Sequence, residues 1–216
     1  GRYSVCAAVN AVQVKNCPLT LTFGLDLDLI NKTIDTTTKL IFLCSPNNPT
    51  GNTLEPSVIE RILETFNGLV IVDEAYIDFT TQPSLTTRLS DYPNLVVLQT
   101  LSKAWGLASL RLGMCFASLE VITILNKIKY PYNINSETQR LAIQSLNNEA
   151  QQKEYVTEII RERALLFVEL SMIPCVIHVY SSEANFLLVQ VTDADAIYQY
   201  LMQQGIIVRN RSSVIN

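Results

Sequence analysis

The chain has 216 residues, enough to bury a sizeable core, and its 48% hydrophobic and 17% charged composition excludes a disordered or fibrous protein. A net charge of −4 with scattered basic residues argues against a nucleic-acid partner. No apolar run approaches the roughly 18 to 20 residues that a membrane span needs, so we expect a soluble, cytoplasmic chain.

The cysteines indicate neither a disulfide framework nor a metal site. Five cysteines are an odd number, and neither a C-x-x-C pair nor a cluster of cysteines with histidines occurs. The single histidine, His178, lies in an alternating strand pattern and is interpreted as structural. Cys44 and Cys115 lie inside apolar runs, where a cysteine acts as a small hydrophobe rather than a nucleophile. We expect reduced thiols and no bound metal.

Strand-length apolar runs dominate the first half of the chain. "KLIFLCS" at 39–45 precedes an amphipathic helix that starts at Pro56 and that Asn67-Gly68 should end with a left-handed stop. "LVIVDEAY", "NLVVLQT" and "RLGMCFAS" follow as further strands. Continuous apolar strands connected by helices predict an α/β fold, with a mostly parallel sheet and helices on both faces.

Long helices follow the last of these strands. Ser118 is placed to cap one amphipathic helix, and Ser136 with Gln139 forms a capping-box pattern for the next. Helical periodicity then continues over about 151–170.

The last part of the chain predicts a second, smaller unit. "CVIHVYSSEANFLLVQV" reads as two strands, followed by a helix that stops at Gly205 and a last strand, "IIVRN". We therefore expect a large domain over 1–150 and a smaller α+β domain over 151–216, each truncated at its end of the chain.

Polar side chains follow three of the predicted strands. In a parallel α/β sheet, ligands bind beyond the carboxyl ends of the strands. The residues expected to converge there are Asn48, Asp73, Tyr76, Thr100, Ser102, Lys103 and Arg111. Each alone has an ordinary explanation, since "NNPTG" is a turn sequence and a lysine is usually a surface amine. Their joint position at successive strand ends indicates a binding site.

Three motifs in this order resemble a known family. "SPNNPTGN", "IVDEAYIDF" and "TLSKAWGLASLRLG" are similar to the signature of the fold-type I pyridoxal-phosphate aminotransferases. The segments "YSVCA", "KIKYPYNIN" and "GIIVRN" are most similar to the histidinol-phosphate aminotransferase branch. The resemblance covers essentially the whole chain.

The resemblance implies a pyridoxal 5′-phosphate cofactor, which Lys103 would bind as a Schiff base before moving the catalytic proton. Asp73 would keep the pyridine nitrogen protonated, and Tyr76 and Asn48 would contact the phenolic oxygen. The cofactor phosphate would be bound by Thr100, Ser102 and Arg111. Glu74 should not share the role of Asp73, because adjacent strand residues face opposite ways.

Substrate contacts follow from the same resemblance. Arg209 would face the phosphate end of the substrate, or it is an ordinary solvent-facing strand residue. Asn185 would touch the substrate or brace a turn, and Asn48 would also lie near the substrate. The family's phosphate-binding glycine loop and ring-stacking aromatic would precede Gly1, and its substrate-binding arginine would follow the last residue.

The implied reaction is transamination between L-histidinol phosphate and 2-oxoglutarate in histidine biosynthesis, by a homodimer. Another substrate, such as an aromatic or a different phosphorylated amino acid, remains open, as does a related decarboxylase. A truncated, non-catalytic binding module is the alternative from another class.

Overall fold

The computed structural model describes residues 2–213. The helices are α1 (Arg2–Val9), α2 (Leu27–Thr33), α3 (Pro56–Thr65), α4 (Leu119–Ile128), α5 (Ser136–Leu146), α6 (Glu149–Ser171) and α7 (Ala194–Gln203). The strands are β1 (Leu40–Cys44), β2 (Leu69–Asp73), β3 (Leu95–Thr100), β4 (Gly113–Ala117), β5 (Val176–Val179) and β6 (Val189–Val191). No helix within the described range is long and apolar enough to cross a membrane.

The main sheet has the strand order β1-β2-β3-β4. β1, β2 and β3 are parallel, and β4 pairs antiparallel with β3. Cys44, Asp73 and Leu98 are consecutive Cα partners across the three parallel strands. The carboxyl ends of these strands therefore form one edge of the sheet, which confirms the predicted mostly parallel α/β architecture.

One face of the sheet carries the larger hydrophobic core. Val70 and Val72 of β2 are fully buried on this face against α3, whose Ile59 and Ile62 are each 2% exposed. Helix α3 begins with Pro56, whose fixed φ suits a first helical turn. Replacing Ile62 with alanine would destabilise the fold by roughly 2–5 kcal/mol, because it removes buried methylene groups and leaves a cavity.

The predicted left-handed stop of α3 at Asn67-Gly68 is wrong. The helix ends at Thr65. The C-cap residue Phe66 is extended, with φ −96° and ψ 126°, and its N–H donates to the Ile62 carbonyl. Gly68 is needed for another reason. A Cβ at this position would lie 2.3 Å from the Lys39 carbonyl oxygen, so the strand can return beside β1 only without a side chain.

The opposite face of the sheet carries the alternate residues of each strand. Ile71 and Val96 are buried there. Helix α1 lies on this face, where the Tyr3 ring packs against Phe42 with ring centroids 4.7 Å apart. Helices therefore lie on both faces, as the sequence predicts.

Two helix starts differ in detail from the predicted caps. Ser118 occupies the N-cap position of α4 but makes no side-chain capping hydrogen bond. The N-cap of α5 is Asn135, whose side chain accepts a hydrogen bond from Thr138 N at 2.8 Å, so the predicted capping box at Ser136 is wrong. Ser136 is instead the first helical residue.

The C-terminal part contains the two predicted strands as an antiparallel pair, β5 and β6. Helix α7 is followed by Gly205 at φ +77°, which confirms the predicted stop. The predicted strand at 206–210 is wrong. This segment forms no ladder with any described strand, Ile207 is 72% exposed, and Ile206 N instead donates back to the Leu201 carbonyl. An extended segment needs a neighbouring strand for its backbone groups.

Helix α6 connects the two parts of the chain. It contacts the short 3₁₀ turn Ile77–Phe79 after β2 and also strand β5. The predicted domain division between residues 150 and 151 falls in the first turn of this helix. That division stays a prediction.

Candidate active site

The polar residues predicted at the strand ends lie along one edge of the sheet. Asn48 follows β1, Asp73 is the last residue of β2, and Thr100 is the last residue of β3. The parallel pairing brings the three strand ends to the same edge. We refer to the residues Asn48, Asp73, Tyr76, Thr100, Ser102 and Lys103 on this edge as the polar edge.

Tyr76 is the centre of the polar edge. Its ring is buried, and its hydroxyl oxygen accepts a hydrogen bond from Asn48 Nδ2 at 3.1 Å. Lys103 Nζ lies 5.1 Å from the centroid of the same ring, within the range of a cation–π contact. Three residues that are far apart in the sequence therefore meet at one phenol.

The Asp73 carboxylate is half-buried beside this group. Its Oδ1 accepts a hydrogen bond from Ala75 N at 3.0 Å, and its Oδ2 accepts one from the Tyr3 hydroxyl. Tyr3 was not among the predicted site residues. The sequence holds little signal for this contact, because Tyr3 and Asp73 are 70 residues apart.

Two hydroxyl groups lie together at the end of β3. Thr100 Oγ1 is 3.0 Å from Ser102 Oγ and accepts a hydrogen bond from Ser102 N at 3.1 Å. Arg111 follows with a left-handed backbone, φ +53° and ψ +40°. Its exposed guanidinium donates from Nη1 to the Ala108 carbonyl at 2.9 Å, within its own turn. The structure therefore brings the two hydroxyls together, while Arg111 lies on the turn beyond them.

Cys44 belongs to the same edge, although its apolar sequence context predicts only a small hydrophobe. It is the Cα partner of Asp73, and its Sγ lies 3.4 Å from the Pro46 carbonyl. Burial, followed by the negative charge of Asp73, raises the pKa of the Cys44 thiol to about 11. The thiol is therefore neutral at physiological pH.

The predicted substrate residues of the C-terminal part do not join this cluster directly. Asn185 is exposed in the turn between β5 and β6, although its neighbour Phe186 packs edge-on against the Tyr76 ring with centroids 5.2 Å apart. Arg209 is exposed, and its side chain makes no hydrogen bond or ion pair within residues 2–213.

Arg211 reaches the polar edge instead of Arg209. Its Nη2 lies 3.4 Å from Asn48 Oδ1, across 163 residues of sequence. Arg211 is not among the site residues predicted from the sequence. The available signal was the second arginine of "VRNRS", two positions after the one that was singled out.

The donor set of the polar edge contains an amine, a carboxylate, a phenol, an amide and hydroxyls. Within the described part of the chain, no group of three or more His, Cys, Asp or Glu side chains could hold a metal ion. The arrangement is suited to binding an organic ligand with anionic and polar groups.

The chain resembles known proteins along its whole length. It is 54% identical over 214 residues to a histidinol-phosphate aminotransferase of Parabacteroides distasonis, a match that covers 99% of this chain and 62% of the relative. The chain thus spans about three fifths of the length of that relative.

Solved structures show the same fold. The histidinol-phosphate aminotransferase of Clostridium acetobutylicum superposes with a TM-score of 0.91 at 24% identity, covering all of this chain and 67% of the other. The enzyme of the same name from Sinorhizobium meliloti, in complex with pyridoxal-5′-phosphate, gives a TM-score of 0.83 at 23% identity, covering 96% of this chain and 58% of the other.

A family model assigns almost the entire sequence. The model for aminotransferase class I and II matches residues 1–214. Together with the whole-length identity to the Parabacteroides relative, this match shows that the chain belongs to the aminotransferase class I and II family.

Proposed function

We propose that the protein containing this chain transfers an amino group between L-histidinol phosphate and 2-oxoglutarate in histidine biosynthesis, with pyridoxal 5′-phosphate as cofactor. The observation that carries the proposal is the meeting of Lys103 and Asn48 at the Tyr76 phenol, on the sheet edge that ends with Asp73. The 54% identity to a histidinol-phosphate aminotransferase, over 99% of this chain, supports the choice of substrate.

The residues present fit this cofactor by their chemistry. An amine that binds a carbonyl, a carboxylate for a pyridinium, neutral donors for a phenolic oxygen and hydroxyls for a phosphate all occur on one edge. Pyridoxal phosphate, when bound, supplies a carbonyl that takes up amines and a ring that stores the electron pair of the substrate carbon.

Lys103 is the proposed catalytic residue of this chain. Its amine lies over the Tyr76 ring, where it is only half-buried and open to a substrate. Nζ would hold the cofactor by its carbonyl and would move the proton to and from the substrate carbon as a general base and acid.

Asp73 would hold the proton on the pyridine nitrogen. A charge-assisted hydrogen bond of this type is worth roughly 1.5–3 kcal/mol. Ala75 N already fixes the carboxylate by a hydrogen bond to Oδ1. A cofactor contact would therefore go to Oδ2, where it would replace the Tyr3 hydroxyl.

The remaining residues would bind and orient. The hydroxyl of Tyr76 and the amide of Asn48 would contact the phenolic oxygen, and the existing 3.1 Å bond between them fixes their mutual position. Thr100 and Ser102 would donate to the phosphate, and the guanidinium of Arg111 would have to turn from the Ala108 carbonyl to add its charge.

Substrate recognition is proposed for the C-terminal segment. Arg211, at 3.4 Å from Asn48, carries a positive charge suited to the phosphate of histidinol phosphate. Arg209 and Asn185 remain candidates for the same role. We also propose that the protein acts in the cytoplasm as a homodimer, without nucleic-acid or membrane partners; light scattering of the purified protein tests the dimer.

The test is spectroscopic. Purified protein mixed with pyridoxal phosphate should develop a visible absorption band, and Lys103→Ala should abolish it. Addition of histidinol phosphate should bleach the band faster than phenylalanine or aspartate does. Bleaching by another amino acid alone would reject histidinol phosphate as the substrate, and release of carbon dioxide would indicate a decarboxylase. Identical spectra for the wild type and Lys103→Ala would indicate a non-catalytic module.

A further inference from the structure

We propose that Glu183 is a positioning residue, which fixes the loop that carries Asn48 against Tyr76 and so sets the geometry of the cofactor's phenolic contact. The effect on the cofactor rests on the proposed function, whereas the hydrogen bonds of Glu183 to the two loops do not. Nothing in the three motifs points to Glu183, which lies in the turn between β5 and β6.

The Glu183 carboxylate connects two loops of the sheet edge. Its Oε1 accepts a hydrogen bond from Thr53 Oγ1 at 3.1 Å, in the loop after β1, and its Oε2 accepts one from Thr80 Oγ1, after the 3₁₀ turn that follows β2. Hydrogen bonds to an ionised carboxylate are about twice as strong as neutral ones. One side chain thus links the two loops that carry Asn48 and Tyr76.

The backbone of the same turn lies tightly against the Asn48 loop. Glu183 N donates to the Gly51 carbonyl at 2.7 Å, and the loop is closed by Gly51 N bonding to the Asn47 carbonyl at 2.8 Å. Gly51 has φ +80°, and a Cβ there would lie 2.4 Å from Ser182 Oγ. The fit therefore needs glycine at this position both for conformation and for space.

The other side of the turn reaches Tyr76 directly. Phe186 packs edge-on against the Tyr76 ring, and Ala184, in the same hydrophobic cluster, is fully buried. Arg163 of α6 donates from Nη1 to the Ala184 carbonyl at 2.6 Å and so connects the turn to helix α6. Residues 182–186 consequently contact the loop that carries Asn48, through Gly51 and Thr53, and the Tyr76 ring, through Phe186. Glu183 is the charged residue of that segment.

The test compares Glu183→Ala with Glu154→Ala, an exposed glutamate of α6 whose side chain makes no hydrogen bond or ion pair within the described residues. Hydrogen exchange is measured without cofactor on peptides covering 47–53. We expect exchange about 10-fold faster in Glu183→Ala and unchanged in Glu154→Ala, because losing the carboxylate frees this loop to open. Unchanged exchange in Glu183→Ala overturns the proposal.

The second measurement is cofactor binding. In Glu183→Ala we expect the pH at which the visible band changes to shift, together with about 10-fold weaker binding of pyridoxal phosphate. Faster exchange with unchanged band and affinity would make Glu183 merely structural and would also overturn the proposal. Absence of cofactor binding by the wild type would reject the proposed function, while the exchange result still decides on the contact.

A second pair of variants applies if Glu183→Ala does not fold. Thr80→Val removes the hydroxyl that donates to Glu183 at nearly equal volume, whereas Thr80→Ser keeps it. The valine variant should reproduce the faster exchange and the spectral shift, and the serine variant should restore wild-type values. Equal behaviour of the two variants would contradict the assigned contact.

Discussion

Asp73 and Glu74 are adjacent in the sequence, yet their carboxylates have separate environments at the end of β2. Asp73 is half-buried and contacts Tyr3 and Ala75 on the polar edge. Glu74 is 2% exposed, and its carboxylate accepts hydrogen bonds from Leu85 N at 2.8 Å and from Gln99 Nε2 at 2.9 Å. The alternation of strand residues thus separates an acid available to a ligand from an acid that holds the fold.

Neutral replacement of the two carboxylates should affect two different properties, cofactor binding for Asp73 and folding stability for Glu74. Asp73→Asn should weaken pyridoxal phosphate binding by about 10- to 100-fold, because it removes a charge-assisted contact to the cofactor. Thermal stability without cofactor should change little. Glu74→Gln should destabilise folding by about 1–3 kcal/mol, because Leu85 N and Gln99 Nε2 donate to different carboxylate oxygens and an amide has only one. Cofactor titration and thermal unfolding of both variants check this, and equal stability losses in the two would contradict the assignment.

Arg111 combines a charged side chain with a left-handed backbone at φ +53°. Glycine adopts this conformation without a steric penalty, so Arg111→Gly should stabilise the fold by about 1 kcal/mol. The same change removes the guanidinium proposed for the cofactor phosphate and should weaken cofactor binding. Denaturant unfolding and cofactor titration measure the two effects; undiminished affinity would remove Arg111 from the phosphate site.

The Cys44 thiol should react with alkylating reagents more slowly than the exposed Cys6 thiol. Its pKa of about 11 leaves only about one molecule in a thousand as thiolate at pH 8, whereas Cys6 is exposed. Alkylation followed by mass spectrometry should therefore show Cys44 reacting at least about 100-fold more slowly than Cys6. Because the Asp73 charge is the second cause of the shift, Asp73→Asn should speed the reaction of Cys44, and an unchanged rate would contradict the coupling.

The partly buried Asp78 carboxyl should make the stability of the fold depend on pH. Burial raises its pKa above the ordinary 3.8, although Gln152 Nε2 donates to its Oδ1 at 3.3 Å. As pH rises through 3.8, the unfolded chain releases this proton before the folded chain does, so Asp78 lowers stability from that point upward. Asp78→Asn keeps the acceptor and should raise the melting temperature at pH 7 but not below pH 3.8. A difference that is independent of pH would contradict this reasoning.

The sheet could be predicted from the sequence because its signals are local. β1, β2 and β3 are continuous apolar runs of strand length, each followed by polar or turn residues, and such runs are typical of strands buried on both faces. The order of their polar ends then predicted the polar edge. The helix stop at Gly205 was equally local.

Other features depend on partners that no local pattern reveals. Asn135 and Ser136 are both good N-cap residues, so only the backbone path decides between them. The segment at 206–210 has the apolar character of a strand but no neighbour to pair with among residues 2–213. The contacts of Arg211 with Asn48 and of Glu183 with Thr80 join residues more than a hundred positions apart.

The most direct measurement identifies the lysine that binds the cofactor. The purified chain is incubated with pyridoxal phosphate, reduced with borohydride to make any carbonyl–amine linkage permanent, and digested for mass spectrometry. We expect the pyridoxyl mass on Lys103 and its loss in Lys103→Ala. A label on other lysines with Lys103 unmodified would contradict the assignment of Lys103 as the cofactor-binding residue.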